Sequence, residues 1–513
     1  MGKVATKRSF RQSSFALALG ASYGVFCAGQ AGALPGTPTV QGTGVATFTP
    51  GTNSLTVNQT SENLAIVWTP SGAGSTPTKA FDILSGETVT FMQPNTGAVA
   101  YNSISCSGCS ATIIAGTLQS RLTSNPTLVG GSVWLFDPNG IVIGQGAVVN
   151  VGGFIASSLQ GDIPTWLANP NNPLTINDGG GATPANGAVT NDGNITASNG
   201  VLGYVALIGN SVAATQTGAT GTINVGFGSI NLAAGRVATI TALNGGGLNF
   251  ALSTAAGDAI NVNNGSATSA VAVTGPAALT GAAVTLSANV AAALFTNAVN
   301  TSGVIRAVNL DNSGGTIKLV GAGSPVVASG TLNASGSTGT DPVGTVQITG
   351  DSVSLGATTV GGALTVEATT GGIAQTGAVA AGAATFTTDT TNQTIVLSAA
   401  NTFSGAVSLN TTGATGNAAI VADALNLGTS TVGGTLTATA TAPAPGGGGI
   451  TESGALTAAA GSSFTSATNI DLSTQANNLN NPAFVFTGAT GNLGYRDINS
   501  ILLPATNLHG GNI

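Results

Sequence analysis

Along most of this chain Val, Ile and Thr recur at every second position, the spacing that sends alternate side chains to opposite faces of a strand. The pattern predicts an ordered, strand-dominated protein. One stretch departs from the alternation: "VWLFDPNGIVIGQG", Val133 to Gly146, sets Asp-Pro-Asn-Gly between two runs that are apolar throughout. Pro138 presets φ for the first corner of a type I turn, Asp137 can bond back to the backbone two residues on, and Gly140 suits the exit. The stretch reads as strand, tight turn, strand.

The strands repeat. "LGATTVGGALT" (355–365) returns 72 residues later as "LGTSTVGGTLT" (427–437), "GGIAQTGAV" (371–379) is answered by "GGITESGAL" (448–456), and Phe386 by Phe464, with "APAPGG" as an inserted loop. A second echo pairs "GAVVNVGGFIAS" (146–157) with "GAVTNDGNITAS" (187–198), 41 apart, and a third pairs "VALIGNSVAAT" (205–215) with "INLAAGRVATI" (230–240), 25 apart. Such spacings arise when each circuit of short strands takes roughly 20 to 25 residues and corners accept insertions. A single circuit cannot bury its inward face, whereas stacked circuits bury a continuous apolar row and pair every backbone with the strand above and below. The expected fold is all-β, a right-handed parallel β-helix. Its ends are exposed strand edges, so a cap is expected at the amino end, within Leu34 to Trp166, which holds all three Trp and the Cys pair. The runner-up, a set of β-sandwich modules, wants hairpin turns every 8 to 12 residues and larger aromatic cores.

Composition supplies a cause for the stacking. Charged residues are 5% of the chain against about 25% in ordinary domains, aromatics are 4%, and Gly numbers 77 of 513. Side chains on successive circuits sit about 4.8 Å apart, where like charges repel by about 0.9 kcal/mol per pair even at the dielectric of water. Ser, Thr, Asn and Ala stack without that repulsion.

Residues 1–33 read as an export signal. Lys3, Lys7, Arg8 and Arg11 form a basic start, "FALALGASYGVF" an apolar middle, and Ala31 and Ala33 a small-residue cleavage site. The apolar run is short of the roughly 20 residues a spanning helix needs, and Phe26 before Cys27 argues against lipid attachment. Removing the signal takes away four of the ten basic residues, leaving 6 against 17 acidic and a net charge of −11. Nucleic acid rewards clustered Lys and Arg, so that partner class is set aside.

"AFDILSGETVTFMQPNTGAVAYNSI" (80–104) and "GTLQSRLTSNPTLVGGSVWLFDPNGIVIGQGAVVNVGGFIASSL" (116–159) resemble the secretion (TPS) domain of filamentous haemagglutinin-type exoproteins, the secreted partners of two-partner secretion systems in Gram-negative bacteria. Pro138, Asn139, Gly140 and Gly144 match the family's turn motif, and Asp137 stands where the family most often has Asn. The resemblance implies a secretion domain over 34–250 with its recognisable core at 45–166, followed by degenerate β-helix repeats over 251–513. It implies recognition in the periplasm by an outer-membrane β-barrel transporter, with Asp137 to Gly140 and Gly144 as the recognition turn. Export then leads to the cell surface or medium, and to adhesion, aggregation or biofilm formation through glycans or proteins of host or neighbouring cells.

The remaining chemistry fits that route. A chain threaded unfolded cannot carry a large disulfide-closed loop, and Cys106 and Cys109 in "SCSGCS" close only four residues. If their Cα atoms approach within about 7 Å a bridge is feasible, and the chain-entropy relation gives about 2 kcal/mol for it. The alternatives are a redox or zinc pair; zinc wants four ligands, yet the mature chain has no other Cys and one His, His509.

Polysaccharide-active enzymes also use β-helices, and these need clustered carboxylates on one outer face. Asp178, Asp192, Glu367, Asp389, Asp423 and Asp471 stand singly between repeats, Arg236, Arg306 and Lys318 read as solvated or bound locally, and "NDGGGATPANG" (177–187) reads as a loop. The expectation is therefore a structural or interaction protein without cofactor or metal. Mature length implies roughly 20 circuits and a rod near 100 Å.

Overall fold

The computed structural model describes residues 34–499 except 71–79, 107, 171, 180–186, 199–202, 215–221, 226–227, 244–246, 253–268, 274–277, 282, 290–296, 302–303, 308–314, 336–343, 443–447 and 490. The expected signal with Ala31 and Ala33, the segment holding His509, and most of "NDGGGATPANG" and "APAPGG" lie outside the described residues.

Within the rod each strand pairs in parallel with its counterpart one circuit later. Along one wall Leu64, Ala100, Val133, Phe154, Val205 and Ile230 lie in register, continued by Val284, Ile317, Val346, Leu364, Ala384 and Val407. None exceeds 2% exposure. Their strand neighbours alternate outward, as in Leu364–Ala368, where Thr365 is exposed between buried Leu364 and Val366. Period two thus becomes one apolar column inside the rod, each buried aliphatic side chain contributing on the order of 1.5–3 kcal/mol. The ladder satisfies the backbone from above and below. This is the expected parallel β-helix.

The amino end is capped by antiparallel strands. Thr37–Gln41 runs along Asn63–Thr69, and Ala46–Pro50 along Ser54–Gln59, covering the edges of the first circuit. Pro38 and Pro50 sit on these outermost strands, where a missing N–H is tolerated.

The wall from Asn63–Thr69 to Leu493–Asp497 contains sixteen rungs, so the described rod is about 70 Å long, shorter than the sequence suggests. Circuits in the amino half carry long corners: Phe154 to Val205 and Ile230 to Val284 are single steps of the ladder. The 25-residue echo is a true stack, Val205 lying beside Ile230. The 41-residue echo is not. Val189–Asn191 pairs with Ile141–Ile143, while Val148–Val151 pairs with Asn194–Ala197, so the two similar segments sit on different faces.

One feature the periodicity did not predict lies outside the rod. The helix Ile163–Ala168 and a four-stranded antiparallel sheet of Gln160–Gly161, Leu174–Asn177, Val237–Leu243 and Gly247–Leu252 cover the outer face of the long-strand wall. A second apolar cluster forms there from Tyr101, Trp134, Phe136, Ile155, Tyr204 and Trp166. Tyr101 stacks on Phe136 with centroids 4.3 Å apart, and the Trp134 indole N–H donates to the Tyr204 hydroxyl at 2.7 Å. The Trp residues of the aromatic-rich amino third therefore divide, Trp68 inside the rod and Trp134 and Trp166 under the flank.

Candidate functional site

The turn begins where Ser132–Phe136 ends, a strand buried on both faces because the rod core takes Val133 and Leu135 and the flank takes Trp134 and Phe136. Asp137 is 1% exposed. One of its carboxylate oxygens accepts the Thr112 N–H at 3.0 Å and the Thr112 hydroxyl at 2.7 Å. The other accepts the Asn139 N–H and the Asn139 side-chain amide, both at 2.9 Å. The Gly140 N–H donates to the Asp137 carbonyl at 2.9 Å, closing the four-residue turn. Burial raises the Asp137 carboxyl above its ordinary value, with the four hydrogen bonds acting in the opposite sense.

Neighbouring circuits clamp this turn. On one side the Asn139 amide donates to the Cys106 carbonyl at 3.2 Å and the Thr112 N–H to the Gly140 carbonyl at 3.0 Å. On the other, Gly187 N–H donates to the Pro138 carbonyl at 2.7 Å and Ile141 N–H to the Ala188 carbonyl at 3.0 Å. Gly140 has φ +104°, and a Cβ there would also stand 2.7 Å from the Ala188 carbonyl oxygen. Gly144 is different: a Cβ there would meet only the Ile114 carbonyl, at 3.7 Å. Its own N–H donates to that carbonyl at 2.8 Å. Only Pro138 and Asn139 of the turn are partly exposed.

Cys106 and Cys109 are disulfide-bonded with Cα atoms 5.6 Å apart, in the loop between Val99–Ile104 and Thr112–Ile114. The bridge and the turn thus share one corner of the rod through Asn139. Asp137, Pro138, Asn139 and Gly140 form one turn as their spacing predicts, while Thr112, 25 residues upstream and without a local signal in the sequence, completes the carboxylate's set of donors.

Among the described residues no three His, Cys, Asp or Glu side chains cluster as a metal site would require. Asp178 is not a lone turn residue, since its carboxylate receives the Arg236 guanidinium at 2.6 Å and ties the flanking strands together. Asp423 accepts the Thr402 hydroxyl at 2.9 Å.

The TPS secretion domain family matches residues 43–334, and a family described as repeats of unknown function matches 343–410 and again 415–485. Two heme/hemopexin-binding proteins of Haemophilus influenzae are 36% and 33% identical over 106 residues, 21% of this chain. The chain spans about a tenth of the length of these curated relatives, 9%. Among solved structures, the HMW1 secretion domain from Haemophilus influenzae superposes with a TM-score of 0.50 at 20% identity, covering 79% of this chain and 94% of that one. The filamentous hemagglutinin secretion domain gives a TM-score of 0.34 at 14% identity, covering 75% and 99%.

Proposed function

This chain belongs to the TPS secretion domain family, and on that premise we propose that its amino-terminal rod, with Asp137 to Gly140 and Gly144 as the recognition turn, is what an outer-membrane β-barrel transporter reads. A TPS domain implies such a cognate transporter, and exoproteins of this family are secreted by Gram-negative bacteria. In our reading residues 1–33 carry the chain to the periplasm, Ala31 and Ala33 mark the cut, and the exported rod serves adhesion, aggregation or biofilm formation at the cell surface or in the medium. It acts by contact and not by catalysis. The heme and hemopexin binding of the curated relatives is not carried over, because the likeness spans only 106 residues.

The observation that carries this reading is the burial of the turn. With Asp137 1% exposed and circuits packed on both sides, its carboxylate is accessible only before the neighbouring rungs close, and of the turn's side chains only Pro138 and Asn139 stay partly exposed afterwards. The transporter therefore meets this segment unstacked, and stacking from the capped end follows outside. A disulfide closing four residues is small enough to travel with such a chain.

The test is export with the cognate transporter supplied. Deleting residues 80–159 should abolish the protein in the medium, and unchanged export would overturn the assignment. Because Asn139 also bonds within the folded turn, Asn139→Ala is compared with a core variant: export should fall with it, whereas Val205→Ala, which weakens the fully buried core away from the turn, should leave export near wild type.

A further inference from the structure

The two carboxyl-terminal repeats, 343–410 and 415–485, correspond strand by strand. In the first, the chain crosses the rod seven times: Thr345–Gly350, a short pair, Leu364–Ala368, a short pair, Ala384–Thr388, Ile395–Phe403 and Ala406–Asn410. In the second the same order runs from Ala418–Ala422 through Leu436–Ala440 and Ser462–Ser466 to Pro482–Phe486. Seven crossings are an odd number, three and a half circuits. The second repeat therefore starts on the other wall. Ala418–Ala422 stacks on Ile395–Phe403, while Ala406–Asn410 is followed in its own wall by the short strands Leu425–Leu427 and Ser430–Val432. Equivalent long strands thus face outward on opposite sides of one buried column.

These strands carry hydroxyls outward. Thr365, Thr385 and Thr387 line one wall, and their counterparts Thr437, Ser463 and Thr465 line the other, all exposed or half-buried. Thr365 lies beside Thr385, and Thr437 beside Ser463, at the ladder spacing of about 4.8 Å. Corner hydroxyls in the same repeats are consumed internally: Thr376 donates to the Leu355 carbonyl, Thr390 to Thr369 and Thr441 to Ala422. Among the described residues, the six wall hydroxyls have no hydrogen-bond partner in the protein.

We propose that these two walls are copies of one contact surface for a neutral polysaccharide, and that their opposite placement makes the rod a bivalent cross-linker. The inference rests on the adhesive reading above and supplies its ligand class and valency. Charge narrows the ligand: the strands Leu364–Ala368, Ala384–Thr388, Leu436–Ala440 and Ser462–Ser466 hold no basic side chain and one carboxylate, Glu367, so a strongly charged partner finds little complement on them. No large aromatic side chain is exposed there to anchor a protein. Unused donors and acceptors repeating along a flat sheet suit a ligand that is itself periodic, uncharged and hydroxylated. Single contacts of this kind are weak, and two on one rigid rod gain by avidity.

The test uses the full mature chain and beads coated with dextran, mannan or cellulose oligosaccharides. Wild type should bind and agglutinate beads of at least one coating. Thr365→Val with Thr385→Val, or Thr437→Val with Ser463→Ala, should keep binding but lower the agglutination titre by about tenfold or more. Combining all four should abolish binding. Because folding could intervene, Thr365→Cys and Thr437→Cys are also labelled with maleimide-polyethylene glycol after folding, and either label should block agglutination alone. Binding to no coating, unchanged agglutination by the single-wall variants, or polysaccharide-independent self-association lost in the same variants would each overturn the proposal. Transporter-dependent cell aggregation separates the two readings: if wild-type cells fail to aggregate the adhesive reading fails, whereas aggregation that ignores both walls sinks only this inference.

Discussion

Four hydrogen-bond donors converge on the two oxygens of Asp137, and that fact decides why an acid stands at this turn. An amide there would turn an NH2 toward a pair of donors, whereas a carboxylate accepts from all four. Replacing Asp137 by Ala should cost on the order of 1–3 kcal/mol, measured by chemical denaturation, because buried donors lose their acceptor. The carboxyl's upward shift fixes the pH dependence. A folded-state value above the unfolded one contributes stability that is fully present below the unfolded value and lost as pH rises through the folded one. The gap between wild type and Asp137→Ala should therefore widen on acidification through the carboxylate range; a gap that narrows would contradict the shift. A second residue-scale contrast comes from the repeats. Gln375 accepts the Ala399 N–H and donates to buried Asn401, which itself donates to the Leu397 and Val421 carbonyls. Glu452 occupies the equivalent place beside Asn477 and accepts the Gln475 N–H, but its second oxygen is buried without a hydrogen-bond partner. Glu452→Gln should restore the missing donor and raise stability by roughly 1 kcal/mol, seen as a higher Tm, and Gln375→Glu should lower it by a similar amount.

At the scale of elements, what was legible in the sequence followed from period. Strands with one face inside the rod and one in water alternate visibly, and Leu364–Ala368 and Leu436–Ala440 are foreseeable from the pattern alone. The flank was not, because its strands and short helix have no repeat of their own. A signal did exist: "VWLF", "FIA" and "YVALIG" show no alternation with polar residues, which a wall facing water on one side would, and all three segments are buried on both faces. The turn residues were readable as a turn, whereas Thr112 and Gly187, which lock it, come from other circuits and leave no local trace. The antiparallel cap has its own consequence. Thr37–Gln41 and Ala46–Pro50 cover edges that would otherwise template pairing with another chain. Removing residues 34–50 should produce concentration-dependent oligomers by size-exclusion chromatography with light scattering, while the full mature chain stays at one mass over the same range; a monomeric truncation would assign the cap some other role.

For the whole molecule the odd number of wall crossings per repeat is a stronger constraint than the repeat's length. In a stacked solenoid each rung touches only its neighbours, so stability is close to a sum of local terms and a whole unit can leave without disturbing the rest. Deleting residues 343–414 removes one such unit. The strand Ala418–Ala422 would then follow Thr331–Ala334 and stack on Thr316–Ala322, the place that Thr345–Gly350 holds in the native rod. The long strands of the surviving repeat would swing to the opposite side relative to the secretion domain. Three and a half rungs at about 4.8 Å shorten the rod by about 17 Å. Small-angle scattering should register that decrease in maximum dimension, with a parallel-β circular dichroism spectrum retained. A cysteine label at position 437 should also change sides relative to one placed on the amino-terminal flank, which distance measurements between two spin labels would detect. Deleting 36 residues within one repeat leaves a long strand facing a short pair out of register, so it should unfold the carboxyl-terminal part. If both deletions behaved alike, the half-circuit phase would not govern assembly, and the two hydroxyl walls would lose their reason to face opposite ways.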